Sequence, residues 1–67
     1  MPFTIEYLWR GGTVERITSF ASQISDAEQS ARAGMARVGI MRPDTPPDGY
    51  QIIDNDGSII LLRSWVR

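Results

Sequence analysis

The chain has no cysteine and no histidine, and all seven of its cationic side chains are arginine. Without cysteine there is no disulfide to staple a small fold and no thiolate metal site. With histidine missing as well, zinc loses its usual nitrogen and sulfur ligands. The absence of lysine removes another common member of nucleophilic and general-base arrangements. No apolar run approaches the roughly 18 residues needed to span a bilayer. The opening MPFTIEYLWR lacks the basic-then-apolar order of a signal segment. These absences lead to the expectation of a cytoplasmic protein that is not an enzyme, uses no cofactor, holds no metal and enters no membrane. A strong charge of either sign is missing too, because seven arginines stand against eight aspartates and glutamates. The basic footprint usual in nucleic-acid binders is therefore absent.

A chain of 67 residues makes one domain, here taken as 1–67. A core of this size supplies only about 3–5 kcal/mol of net stability. With disulfides and zinc removed, oligomerisation is the staple that remains.

Residues 3–10, FTIEYLWR, alternate Phe3, Ile5, Tyr7 and Trp9 with Thr4, Glu6, Leu8 and Arg10. That is the period of a strand, with aromatic and β-branched enrichment. Gly11 and Gly12 suit the tight turn of a hairpin, and residues 13–20 read as the returning strand. A two-residue Gly11-Gly12 turn sets Trp9 opposite Val14, Tyr7 opposite Arg16, Ile5 opposite Thr18 and Phe3 opposite Phe20. Val14, Ile17 and Phe20 are spaced by three, which calls for a bulge.

Ser25-Asp26-Ala27-Glu28 has the spacing of a capping box, so a helix is expected over 26–38. Ala27, Ala31, Gly34, Met35 and Val38 share one stripe of it, and Gly39 is the expected stop. The stripe is made of small residues, which suits a helix lying close over a sheet whose large side chains reach up to it. Residues 40–49, with Pro43, Pro46 and Pro47, read as an extended connector. Pro43-Asp44-Thr45-Pro46 is too common a pattern to indicate a partner motif.

Asp54-Asn55-Asp56-Gly57 resembles part of a calcium loop, but the alignment fails. With Gly57 at the glycine position, Ile52 takes the first ligand position and Arg63 the last. Strand-like runs flank it on both sides. The better reading is a three-residue turn, Asn55 to Gly57, joining strands 50–54 and 58–66. The fold class is α+β: two β-hairpins in ββαββ order, forming a four-stranded antiparallel sheet with one helix on one face.

That last hairpin carries an anomaly. A three-residue loop, a type I turn closed by Gly57 with a G1 bulge, puts Tyr50, Ile52, Ile60, Leu62 and Val66 on one face, and Ile53, Ile59, Leu61 and Trp65 on the other. Both are apolar, yet one helix covers only one face, and a solvated face should alternate with polar residues. The expected cover is a second copy of the chain. Ile53, Ile59, Leu61 and Trp65 are the candidate interface of this homodimer; the next choice is a twisted last strand covered by the proline connector or the chain ends, and an unidentified protein partner comes after that. The function expected is thus a small non-catalytic interaction module. The alternative is a nucleic-acid-binding domain using Trp9, Arg10, Arg16, Arg63 and Trp65 on the sheet. The near-neutral charge weighs against it, and the distribution of arginines on the folded surface is what separates the two.

Overall fold

A computed structural model describes residues 2–64 of the chain. Its elements are β1 (Phe3–Trp9), β2 (Gly12–Ser19), α1 (Ile24–Met41), β3 (Gly49–Ile53) and β4 (Ile59–Ser64). The four strands form one antiparallel sheet in the order β2-β1-β3-β4, with α1 packed on one face. The ββαββ reading of the sequence is thereby met, and the strand order is new. The two hairpins join through β1 and β3, with Thr4 opposite Ile53, Ile5 opposite Ile52 and Tyr7 opposite Tyr50. No helix among the described residues is long and apolar enough to cross a membrane.

The core lies between α1 and the middle strands. Ile5, Tyr7, Tyr50 and Ile52 rise from the sheet, and Ala27, Ala31, Gly34 and Val38 come down from the helix, all buried. The small stripe does what its composition suggests. It lets α1 sit low enough for the Tyr7 hydroxyl to donate to the Ala31 carbonyl at 2.9 Å. The Tyr50 hydroxyl donates to Glu28 at 3.0 Å and accepts from Arg32 Nε at 3.3 Å. Both buried tyrosines thus have partners at the helix, as buried hydroxyls require.

The first hairpin turns one residue earlier than its glycines suggest. Trp9 pairs with Gly12, so Arg10 and Gly11 are the turn residues, with φ of 52° and 83°. Two successive positive φ values fit the tight hairpin turn that matches strand twist. The arginine is held there by a hydrogen bond from its backbone N–H to Asp48 Oδ2 at 3.2 Å. Its guanidinium lies 4.7 Å from the centre of the Trp9 ring. The gain is in register: Ile5 faces Ile17 and Glu6 faces Arg16. In the expected register Arg16 and Thr18 would sit on the buried side, and a slip of one residue exchanges the faces. The register shifts between Tyr7 and Leu8, where β2 carries the bulge implied by its three-residue spacing. Phe20 falls outside the strand and is 84% exposed.

The helix is longer than the expected 26–38. Its N-cap is Gln23, with no side-chain cap hydrogen bond, so the Ser25–Glu28 capping box does not form. Glu28 serves tertiary contacts instead, and half-buried Ile24 starts the helix by packing against the core. Gly39 does not stop it. The helix ends at Met41, just before Arg42-Pro43, where a residue preceding proline leaves the helical region. Residues 42–48 form the connector, tied to β1 by the Asp48 N–H donating to the Leu8 carbonyl at 2.8 Å.

Candidate functional site

The Asp54–Gly57 stretch is the turn of the second hairpin. Gly57 has φ of 92°, and its N–H donates to the Asp54 carbonyl at 3.1 Å. Asp54 Oδ1 accepts from the N–H groups of Asp56 at 3.1 Å and Ser58 at 3.2 Å. Its carboxylate therefore ties the turn together, the ordinary work of aspartate in that position.

Beyond the turn the second hairpin departs from the expected pairing. Ile53 faces Ile59 as expected, but then the register shifts. Ile52 faces Leu61, Gln51 faces Leu62 and Tyr50 faces Arg63. Directly opposed residues share a face. Leu61 therefore points to the helix side, where it packs half-buried against the core, and its place in the outer candidate set is corrected. Leu62 moves to the open face with Gln51. The physical cause is the bulge, because one extra residue reverses the facing of every residue after it. Arg63 gains from the same shift: it comes up beside Tyr50, and its Nε donates to Glu28 Oε2 at 3.0 Å.

The face of the sheet away from α1 is built of ranks crossing the strands. Thr18, Thr4, Ile53 and Ile59 form one, and Arg16, Glu6, Gln51 and Leu62 the next. The side toward β2 is polar, and Glu6 is its centre. It is only 6% exposed although it lies on the open face. Gln51 Nε2 donates to Oε1 at 2.6 Å, Arg16 Nε donates to Oε2 at 2.7 Å, and the Thr13 hydroxyl reaches Oε1 at 3.5 Å. The hydrogen bond from Gln51 and those from Arg16 and Thr13 hold its carboxyl below the usual range, against the opposing effect of burial. The side toward β4 is apolar. Ile59 is 58% exposed and Leu62 56%, with Ile53 half-buried beside them, and Ile60, the bulged residue of the same strand, is 40% exposed. Ile60 and Leu62 were not in the sequence-derived set, since only the unforeseen bulge turns Leu62 outward. Trp65 lies outside the described residues.

The arginines and tryptophan of the alternative reading do not gather. Arg16 lies on the open face, ion-paired with Glu6 at 2.7 Å. Arg63 lies on the helix side, paired with Glu28. Trp9 and Arg10 stand together at the tip of the first hairpin. Among the described residues, the remaining large exposed apolar side chains, Phe20, Ile40 and Met41, flank the two ends of α1, separated by a helix length on the order of 25 Å. They are scattered residues of the kind any surface carries. Comparison with protein families, with curated proteins and with solved structures yields no match.

Proposed function

We propose that this chain is a small non-catalytic interaction module of cytoplasmic setting that associates with a second copy of itself through β3 and β4. The observation that carries the reading is the apolar margin of the open face: Ile59 and Leu62, exposed on one strand beside Ile53, with the bulged Ile60 exposed between them. Fully burying a side chain of this size contributes about 1.5–3 kcal/mol. That is comparable to the roughly 3–5 kcal/mol a core this small supplies. Contiguous apolar patches on soluble monomers are usually interaction sites. The nucleic-acid alternative draws less support, since Arg16 and Arg63 lie on opposite sides of the sheet and each has its own carboxylate.

Sedimentation velocity over a micromolar concentration series tests the proposal. The wild type is expected to pass from monomer to dimer, and Leu62→Asp to weaken the association at least tenfold. Leu62 is half exposed already, so the variant's monomer should unfold within about 0.5 kcal/mol of the wild type. A wild type that stays monomeric at high micromolar concentration would sink the reading.

A further inference from the structure

We infer that two copies join edge to edge, β4 against β4 in antiparallel array, to make one continuous eight-stranded sheet with both helices on the same side. The inference rests on the self-association proposed above and assigns its geometry.

Strand β4 is the last of the sheet, and no strand lies beyond it among the described residues. In an antiparallel ladder every second residue turns its N–H and C=O away from its one neighbour. An edge of that kind accepts an extended backbone, so the chemistry of the occupant is a strand. The side chains narrow it further. Ile59-Ile60-Leu61-Leu62 is an unbroken apolar run, the composition of a strand with a neighbour on each side and not of the charged edges that soluble sheets present. The helix lies over β1, β2 and β3 but does not extend over β4. Leu61 on the helix side is therefore only half-buried, while Ile59, Ile60 and Leu62 are exposed. A strand that fits must be apolar on both faces, and β4 itself meets that requirement.

The other edge does not. Strand β2 carries Thr13, Glu15, Arg16 and Thr18, the polar and charged side chains that blunt an edge. Pairing β4 with β2 of the next copy would leave an open, growing array, whereas β4 with β4 closes about a two-fold axis. Directly opposed residues share a face, so Leu61 stays on the helix side and Leu62 on the open side in both copies. Arg63 enters such a seam with Glu28 of its own chain already bound at 3.0 Å, so no unpaired charge is carried in. A face-to-face dimer would instead lay Arg16 and the Glu6 network under a second sheet.

Amide hydrogen exchange followed by NMR, above and below the dissociation concentration, separates these arrangements. Edge pairing predicts that successive β4 amides are all protected in the dimer. On dilution every second one loses protection at least tenfold, while the β3-facing set keeps it. A dimer in which the outward β4 amides exchange freely overturns the edge pairing and leaves self-association standing. Added protection along β2 in a growing assembly overturns the two-fold arrangement. If no dimer forms at high micromolar concentration, both this inference and the proposed function fail.

Discussion

Gly34 is buried above Tyr7, where a Cβ would collide with the tyrosine hydroxyl. Intrinsic preference favours alanine in a helix by about 1 kcal/mol. The Tyr7 ring is fully buried and its hydroxyl is bonded to Ala31, so it has no free space to swing into. Overpacking of that kind costs about 1–3 kcal/mol. Gly34→Ala is therefore expected to destabilise by about 1 kcal/mol net, which in a domain this size lowers Tm by roughly 4–8 °C. In a Tyr7→Phe background, with the hydroxyl gone, the same substitution should cost measurably less, as a double-mutant cycle in urea would read. A Gly34→Ala variant more stable than the wild type would show that the helix does not need this close approach.

At the scale of elements, periodicity revealed what each segment is and missed how the segments are offset. Alternation from Phe3 to Trp9 and the small stripe from Ala27 to Val38 mark a strand and a helix face, because one side of each must meet the core. The Asn55-Asp56-Gly57 turn was equally legible, since positive φ at Gly57 has few residue types to supply it. Three features were not legible: the Arg10-Gly11 turn, the unused capping box and the bulge in β4. Each is settled by a contact outside its own segment: Asp48 with Arg10, Tyr50 and Arg63 with Glu28, and, across the hairpin, Ile52 with Leu61. The turn offers a clean test of local backbone cost. A Cβ at Gly57 meets nothing within 4 Å, so Gly57→Ala loses only its left-handed freedom, worth about 1–2 kcal/mol. Gly57→Asn should cost less, because asparagine tolerates that region. Equal losses for the two in equilibrium unfolding would mean that φ is not what the position selects.

Over the whole molecule, two glutamates link the elements and set the response to acid. Glu6 joins β1 to β2 and β3, and Glu28 joins α1 to β3 and β4. Glu28 too is held below the usual range, first by the hydrogen bond from Arg63 and then by that from Tyr50. A carboxylate whose folded value is depressed adds stability that is fully present above its unfolded value, about 4.3. That stability is lost as the pH falls through the folded value. Thermal melts should therefore show Tm falling as the pH drops below about 4.3. Glu6→Gln should flatten part of that fall while lowering Tm near neutral pH. A Tm unchanged across the acid range would mean these links contribute little.

The seam between the hairpins also orders events in time. Within each hairpin the pairing partners are near neighbours in sequence, whereas β1 and β3 meet only after the chain has passed through β2, the helix and the connector. Local hairpins close in roughly 1–10 μs, and the long closure that brings Tyr7 against Tyr50 comes later because its entropy cost precedes its contacts. Until then Ile5 and Ile52 have no partner strand on that side, and each half-built molecule offers an unpaired strand edge there. Refolding at high protein concentration therefore sets the intramolecular closure of β1 on β3 in competition with the same pairing between two chains, which makes an exchanged dimer the kinetic hazard built into this topology.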